Sequence, residues 1–389
     1  MSSPSGQSES QEHDLSIPTG VQSYLSSTKF ASHTVTPLIG GGGNWTFRLH
    51  LLEPYDGKKT LVAKHSRGYS AGDAPIPLDI ERQAFEVEAL RRVKQNVLCH
   101  DGLATVPTVY HFDEEAHVII MEDCGEGSQT LKALMRESPP TPAVAQEIGR
   151  ALGEFLGRLH SWGANDSKLL DHFCQNELGK KITSWITYDR IIPMLTSTPP
   201  HPAVSLLREP VPESDLDDIR AIISERTKEI HTSRETFTMG DFWTGNILVN
   251  LRANPDHDGS PRSFASVYVV DWELAKAGVA ALDVLDVGQF CAEMLCLDIF
   301  HRESAGESSR KLIEAFLTEY RRNYGGLMKE HFANVAAKHV GAHLVTIAPE
   351  VNWGPPEESV KAVELGLEYL MEGCSDRWVR ERSVLAPLM

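Results

Sequence analysis

The strongest constraint on the fold is a change in hydrophobic periodicity at the segment CGEGS, residues 124–128. Before it, apolar residues alternate with polar ones, as in TFRLHLL at 46–52, and this period of two is typical of half-buried strands. After it, apolar residues recur every three or four positions, which predicts helices with one buried face. The first of these helices begins at Thr141-Pro142, a capping hydroxyl followed by a proline in the first turn. Its apolar face comprises Val144, Ile148, Leu152, Phe155, Leu156 and Leu159.

Strands first and helices later predict an α+β fold. We expect two lobes, a β-rich N-lobe and a mostly helical C-lobe, and a chain of 389 residues is long enough to bury both cores. The predicted divisions are a disordered tail over 1–15, an N-lobe over 16–120, a hinge over 121–127 and a C-lobe over 128–389. The N-lobe would consist of a five-stranded sheet and one helix at roughly 79–93.

The composition argues against several classes of partner. The formal net charge is −17, whereas nucleic acids and anionic membranes attract basic surfaces. A phosphate ligand remains compatible, because a few backbone N–H groups and one lysine suffice to bind it. No apolar run is long enough to span a bilayer, no signal peptide begins the chain, and no two of the six cysteines are spaced C-x-x-C. We therefore expect a reduced, cytoplasmic protein.

The stretch MGDFWTGNILVN, residues 239–250, has the D-x-x-x-x-N spacing of kinase catalytic loops at Asp241 and Asn246. Phosphoryl transfer to a hydroxyl needs a carboxylate that orients the attacking oxygen and takes its proton. It also needs oxygen ligands for magnesium, and a carboxamide supplies one without adding negative charge. Asp271 ends the apolar strand FASVYVVDW one strand–loop–strand step later, where a second magnesium ligand is expected. Taken alone, each pattern is common in ordinary loops and turns.

A glycine cluster lies between two predicted strands and comprises Gly40, Gly41, Gly42 and Gly43. Alone it predicts only a flexible hairpin turn. Lys64 follows about twenty residues later, in the predicted strand TLVAKH. Glycines allow backbone N–H groups to approach phosphate oxygens, and a lysine nearby would neutralise them. The alternative for Lys64 is a solvent-facing position on an edge strand.

A carboxylate on the following helix could hold Lys64 against the phosphates. Glu86 and Glu88 are the two candidates, and they lie on different faces of that helix. We favour Glu86, because it lies one turn before Leu90 on the apolar side.

These five signals occur in the order that kinase folds require, and the chain resembles the aminoglycoside phosphotransferase and choline kinase family. These are small-molecule kinases with a protein-kinase-like fold, and the resemblance extends from about Phe30 to about Met371. The stretches MGDFWTGNIL, VVDWELAKAG, LDVGQF and AHLVTIAPEVNWG look most like a fungal methylthioribose kinase-like branch that includes a 4-hydroxytryptamine kinase. Met239 replaces the histidine that usually begins the catalytic loop, a residue that is mostly a structural support.

The resemblance implies ATP as the phosphoryl donor and Mg²⁺ as the cofactor. It implies that Asp241 is the catalytic base and that Asn246 and Asp271 are the metal ligands. Asp286, in LDVGQF, would brace the backbone of the catalytic loop, and nearby Asp283 is the alternative.

The nucleotide would be held by the first part of the chain. The resemblance implies that Gly40–Gly43 cover the phosphates and that Lys64 contacts the α- and β-phosphates while pairing with Glu86. Backbone groups of Glu122 and Cys124, in the connector MEDC, would hold the adenine.

The acceptor site is the part that the motifs define least. Its candidate residues adjoin matching motifs and are Trp243, Trp272, Glu273, His343 and Trp353. Ordinary core packing is an equally good interpretation for each of them.

The resemblance therefore implies an ATP-dependent small-molecule kinase that phosphorylates a hydroxyl of a small metabolite. Its partners would be ATP and that acceptor, with no nucleic acid and no membrane. An aminoglycoside kinase that inactivates an antibiotic is the alternative among enzymes. A catalytically inactive nucleotide-binding scaffold is the alternative from another class, although the residues needed for phosphoryl transfer argue against it. A protein kinase is not favoured, because the sequence has neither an HRD nor a DFG segment.

Overall fold

The computed structural model describes residues 13–38, 40–72, 75–97, 102–252, 263–278, 284–329, 331–351 and 353–389. The chain divides into two units. Unit 1 is Met1–Ile80 with Thr108–Asp123, and unit 2 is Glu81–Pro107 with Cys124–Met389. Strands dominate unit 1 and helices dominate unit 2, so the predicted α+β fold is confirmed.

The described strands are, in chain order, β1 (Ser32–Pro37), β2 (Trp45–Tyr55), β3 (Lys58–His65), β4 (Ala104–Thr105), β5 (Val109–Asp113), β6 (Val118–Glu122), β7 (Gln129–Thr130), β8 (Thr236–Thr238), β9 (Ile247–Arg252), β10 (Ser263–Val269) and β11 (Lys276–Gly278). The described α-helices are α1 (Pro18–Leu25), α2 (Arg82–Asn96), α3 (Leu131–Glu137), α4 (Pro142–Ala164), α5 (Ser167–Phe173), α6 (Glu177–Ser184), α7 (Ile191–Thr196), α8 (Pro202–Ser205), α9 (Glu213–Thr232), α10 (Val284–Phe300), α11 (Arg302–Tyr324), α12 (Phe332–Thr346), α13 (Pro356–Glu372) and α14 (Asp376–Arg382). A π-helical turn lies at Trp185–Asp189, and 3₁₀ turns lie at Thr244–Asn246, Gly325–Leu327 and Ala386–Leu388.

Unit 1 is built on an antiparallel sheet. Within the described residues its five strands have the order β1-β2-β3-β6-β5. In β2 the alternation predicted from the sequence is observed, since Phe47, Leu49 and Leu51 are buried and the residues between them are partly exposed. Helix α1 contributes Val21 and Leu25 to the same apolar cluster, so this helix packs on the face of the sheet that carries these buried side chains.

The predicted disordered tail is largely outside the described residues, which begin at residue 13. Of the part that is described, Leu15 is buried in the cluster between helix α1 and the sheet. Asp14 accepts hydrogen bonds from the backbone N–H and hydroxyl of Ser16 and forms an ion pair with Arg67 at 2.7 Å. Asp14 and Leu15, which the predicted tail includes, therefore have defined contacts.

Unit 2 contains two small sheets among its described strands. One has the order β4-β10-β9-β7 and the other is β11-β8. Strands β9 and β10 pair antiparallel, with Val249 opposite Val267. The segment NPDHDGSP, which is predicted as a hairpin loop between them, lies outside the described residues. These short sheets position the two ends of the stretch 239–250.

The longest described helices of unit 2, α4 and α11, are in direct backbone contact. Helix α4 begins as predicted, because the Thr141 hydroxyl accepts a hydrogen bond from the Val144 N–H. Further along, a Cβ placed on Gly153 would lie 2.2 Å from the Phe316 carbonyl oxygen of α11. Only glycine permits this approach, so these helices pack more closely than side chains would allow.

Helix α2 belongs to unit 2 in this division, whereas the predicted N-lobe boundary of 16–120 places it with the five-stranded sheet. The predicted hinge, 121–127, spans the point at which unit 1 ends and unit 2 resumes. The lobe boundaries themselves remain predictions. No helix in the described part of the chain is both long and apolar enough to cross a membrane.

Candidate active site

The candidate catalytic loop joins β8 to β9 in unit 2, and its entry depends on Gly240. This residue has φ of +81°, in the left-handed region that favours glycine. A Cβ here would lie 2.3 Å from the Leu274 carbonyl oxygen and 2.4 Å from Lys276 Nζ. The turn therefore brings the backbone against β11 and its preceding residues, and it presents Asp241 directly after the glycine.

Asp286, on helix α10, holds the start of this loop. Its Oδ2 accepts the Met239 N–H and its Oδ1 accepts the Gly240 N–H, both at 2.9 Å. His160 Nε2 lies 3.1 Å from the same Oδ2, and His160 Nδ1 lies 2.9 Å from the Tyr320 hydroxyl. Asp286 and His160 are fully buried. These bonds are those that a brace of the loop backbone requires, while the alternative, Asp283, lies outside the described residues.

The carboxylate of Asp241 is fixed by two side-chain donors. Gln289 Nε2 donates to Oδ1 at 2.8 Å, and Asn246 Nδ2 donates to Oδ2 at 2.9 Å. Burial raises the pKa of Asp241 to about 7, the hydrogen bond from Gln289 lowers it, and the negative charge of Asp271 raises it again. A cation bound near these two aspartates would favour the ionised form of Asp241.

Asn246 is committed to Asp241 through its amino group, which also donates to the Asp241 carbonyl oxygen at 3.1 Å. Its carboxamide oxygen is therefore the atom that could ligate a metal. Asn246 is buried at the end of the 3₁₀ turn that leads into β9. The D-x-x-x-x-N spacing thus brings its two polar side chains into direct contact.

Asp271 lies in a cluster of acidic side chains. Carboxylate oxygens of Glu86, Asp271 and Glu273 lie within 4.8 Å of one another. Asp271 has φ of +67°, and this strained backbone turns it out of the strand end. Arg82 Nε forms an ion pair with Glu273 at 3.0 Å, so part of the negative charge is balanced. Clustered carboxylate oxygens are ligands that suit Mg²⁺, and the residues present therefore fit this ion.

The predicted phosphate-binding residues lie in unit 1. Gly40 has φ of +144°, and a Cβ on Gly40, Gly41 or Gly42 would meet nothing within 4 Å. The backbone of this loop therefore has open space for a ligand on its surface. Lys64 lies on β3 opposite Thr46 of β2 and Ile119 of β6, which places it in the interior of the sheet and not on an edge strand. Its predicted partner, Glu86, belongs to unit 2, and the pairing remains a prediction.

The two residues predicted to hold adenine have backbone groups that are already engaged. The Glu122 N–H donates to the Thr108 carbonyl at 2.8 Å, and the Glu122 side chain accepts bonds from Thr108 and Lys58. The Cys124 carbonyl accepts Asn250 Nδ2 at 2.9 Å. An adenine could therefore use only other backbone groups of these residues, and their role stays a prediction.

Two predicted acceptor residues have other surroundings. Trp272 is fully buried, stacks on Phe237 with ring centroids 6.1 Å apart, and donates its indole N–H to the Val269 carbonyl at 3.0 Å. Core packing, the alternative interpretation, describes this tryptophan. Glu273 belongs to the acidic cluster, through its ion pair with Arg82.

The remaining acceptor candidates form a connected cluster in unit 2. His343 Nε2 lies 3.1 Å from Glu293 Oε1, and Glu293 Oε2 accepts the Thr244 hydroxyl at 3.0 Å. Lys132 Nζ lies 3.9 Å from the ring centroid of Trp353 and 5.2 Å from that of Trp243. Both groups of contacts include a residue of the candidate catalytic loop, Thr244 in the first and Trp243 in the second.

Sequence reasoning missed several members of the site. Gln289 and Glu293 follow Asp286 on helix α10 at i+3 and i+7, and this helical spacing would have placed all three on one face. Arg82 and Lys132 carry no comparable signal, because their partners are distant in the sequence.

Comparisons with known proteins agree with the motifs. A family model described as "Phosphotransferase enzyme family" matches residues 35–327. The chain is 30% identical over 375 residues to a 4-hydroxytryptamine kinase of Psilocybe cyanescens, a match covering 93% of this chain and 94% of that protein. It is 27% identical over 275 residues to a methylthioribose kinase of Bacillus cereus, covering 69% and 62%.

Among solved structures, the chain is similar to a choline kinase from Cryptosporidium parvum, with 10% identity, a TM-score of 0.46, and coverage of 90% of this chain and 91% of that one. The resemblance predicted from the motifs is confirmed by the family model, which spans most of the chain, and by the full-length relative. The relatives are small-molecule kinases, and this chain belongs to the phosphotransferase enzyme family.

Proposed function

We propose that this protein is a magnesium-dependent kinase that transfers the γ-phosphoryl group of ATP to a hydroxyl group of a small molecule. One observation carries the proposal. The carboxylate of Asp241 is held by hydrogen bonds from Gln289 and Asn246, near the charge of Asp271. Asp241 directly follows the loop residues whose backbone Asp286 binds. Such a preorganised carboxylate is the group that phosphoryl transfer to a hydroxyl requires.

In this proposal Asp241 positions the acceptor and takes its proton. Each carboxylate oxygen already accepts one hydrogen bond, and each retains a second lone pair for the O–H of the acceptor. The two fixed donors restrict rotation of the carboxylate, so the hydroxyl is oriented when it binds. Burial raises the pKa of Asp241, and a bound Mg²⁺ would favour the ionised carboxylate that can accept the proton.

The metal and the nucleotide involve other residues. Asn246 and Asp271 would hold Mg²⁺, with Glu86 and Glu273 adding negative charge, and the bound ion would neutralise the phosphate oxygens. Gly40–Gly43 and Lys64 would bind the phosphates.

The likeness to a 4-hydroxytryptamine kinase makes hydroxyindoles the first acceptors to examine. We also propose that the protein acts in the cytoplasm, which agrees with the free thiols of all cysteines among the described residues. A net charge of −17 argues against a nucleic-acid partner.

The experiment is an ATP turnover assay on the full chain with a panel of hydroxyindoles, sugars, amino alcohols and aminoglycosides. We expect ADP release that depends on both magnesium and one class of acceptor. Asp271→Ala should lower turnover by about 100-fold or more, because it removes a metal ligand. Asp218→Ala, which changes an exposed carboxylate on α9, is the control and should leave turnover unchanged. Full turnover by Asp271→Ala at ordinary magnesium would refute the metal assignment, and no acceptor-dependent turnover would favour the inactive scaffold.

A further inference from the structure

The ammonium group of Lys132 lies between two tryptophan rings next to the candidate catalytic loop. Its Nζ is 3.9 Å from the ring centroid of Trp353 and 5.2 Å from that of Trp243, two residues after Asp241. Lys132 lies in the first turn of helix α3, whose N-terminus is capped by the Thr130 hydroxyl. Both rings attract a cation through their faces, so the position of this ammonium group is well defined.

Among the described residues, the half-buried Lys132 has aromatic partners but no polar ones. Within the described residues it forms no hydrogen bond and no ion pair, although an ammonium group carries three N–H donors. Burial lowers the pKa of Lys132, and the nearby carboxylate of Glu293 offsets part of this effect. That carboxylate is already bonded to Thr244 and His343 and is not a direct partner of Lys132. The indole nitrogen of Trp353 is buried and also finds no hydrogen-bond partner among the described residues.

The cluster therefore contains hydrogen-bond donors that lack acceptors in the described part of the chain, and the ammonium group of Lys132 already occupies its two aromatic rings. A second cation placed against the same two rings would be repelled by Lys132. A carboxylate or another oxygen anion would instead be attracted and could accept the unused N–H donors. Trp243 belongs to the loop that carries Asp241, so we take the group bound here to be part of the acceptor whose hydroxyl reaches Asp241.

We infer that Lys132 is a specificity-determining residue that selects a hydroxylated acceptor bearing a carboxylate and rejects one bearing an amine. The inference rests on the proposed kinase function. Trp243 and Trp353 hold the ammonium group in place, and the charge of Glu293 favours its charged form without occupying its donors. Desolvation of a bound carboxylate would be compensated by this fixed opposite charge.

The test compares three hydroxyindoles that differ only in an aminoethyl, a hydroxyethyl or a carboxymethyl side chain. For the wild-type protein we expect kcat/KM for the carboxymethyl compound to exceed that for the aminoethyl compound at least about tenfold. Lys132→Met should abolish this preference mainly through KM, whereas Lys132→Arg, which keeps the charge, should retain it. ATP affinity should be the same in all three proteins. If Lys132→Met does not fold, Lys132→Gln replaces it, and the wild-type preference is itself a test.

Calorimetric titration of the same compounds separates this inference from the proposed function. Carboxymethyl binding that weakens in Lys132→Met supports the inference even if none of the three compounds is phosphorylated, whereas the kinase proposal fails only if the full acceptor panel gives no turnover. A wild-type preference for the aminoethyl compound overturns the inference. The inference is also overturned if Lys132→Met loses affinity equally for all three compounds, or if none of the three binds to the wild-type protein.

Discussion

Lys276 is a fully buried cation directly beneath the start of the candidate catalytic loop. Its Nζ donates to the Thr183 hydroxyl at 2.9 Å and lies close to Gly240. Burial lowers the pKa of Lys276 to about 8, while the carboxylates of Asp286 and Asp241 raise it. The loop therefore lies against a positive charge. Burial of this charge is unfavourable, but its attraction to the carboxylates of Asp286 and Asp241 is favourable.

A pH-dependent stability follows for Lys276. The titratable groups that face it are Asp286, Asp241, Lys180 and His339. The imidazole of His339 is largely neutral, because burial lowers its pKa. Below pH 8 the lysine is charged in both the folded and the unfolded protein, and its burial costs stability. As the pH rises from about 8 towards 10.5, the folded protein loses this proton before the unfolded chain does, so stability rises.

We therefore expect the free energy of unfolding of the wild type, relative to that of Lys276→Met, to increase by up to about 3 kcal/mol over this interval. Urea denaturation at a series of pH values measures it. Lys228→Met, at an exposed lysine on α9, is the control and should give a curve parallel to the wild type. A difference in the free energy of unfolding between wild type and Lys276→Met that does not change with pH would contradict the lowered pKa of Lys276.

Among the elements, the pairing of α4 with α11 shows how a sequence pattern becomes a packing constraint. Gly149 and Gly153 lie one turn apart on α4, and a Cβ on either would lie within 2.3 Å of a carbonyl oxygen of α11, on Leu312 or Phe316. Both glycines are buried, whereas Arg150 between them is exposed. The interface leaves no volume for a methyl group.

Gly153→Ala tests this packing. Alanine favours a helix, but here the added methyl group must displace backbone, so we expect a loss of about 1–3 kcal/mol in the free energy of unfolding. Arg150→Ala is the matched control on the exposed face of the same helix and should change stability by less than about 0.5 kcal/mol. Thermal and urea denaturation of the two variants would provide the comparison. Equal stability of Gly153→Ala and wild type would show that the helices can separate at no cost.

Periodicity predicted long elements well and short ones poorly. The apolar spacing and the Thr141 cap predicted α4, and the alternation in β2 predicted its buried face, because both patterns repeat over several turns or residues. Strands β4 and β7 have two residues each, too few for any period to be seen. Helix α2 was predicted at about the right place, but its grouping with unit 2 depends on contacts distant in the sequence, such as the ion pair of Arg82 with Glu273.

Over the whole molecule, the candidate site residues come from motifs in the sequence, and of the other side chains that hold them only Asp286 was predicted. The D-x-x-x-x-N spacing identified Asp241 and Asn246, and the structure places their side chains 2.9 Å apart. Lys132 was missed because it reaches the site from α3, which only the fold brings to the loop. Gln289 was missed although it follows the predicted Asp286 by three positions on α10, a spacing that places both on one helix face. Trp272 adjoins a motif and is fully buried, which agrees with core packing, the interpretation that the sequence left open for it.

The proposal that Asp241 is the catalytic base of a kinase is tested most directly by measuring phosphoryl transfer by Asp241→Asn once an acceptor has been found. Asparagine keeps the shape of the side chain but removes its charge and most of its basicity. Positioned general-base catalysis contributes about 10²–10⁴-fold in rate, so transfer should fall by that order. Nucleotide affinity, measured by calorimetry on the same preparations, should change little, because the proposed phosphate and metal ligands are other residues. Transfer by Asp241→Asn at the wild-type rate would contradict the assignment of Asp241 as the catalytic base.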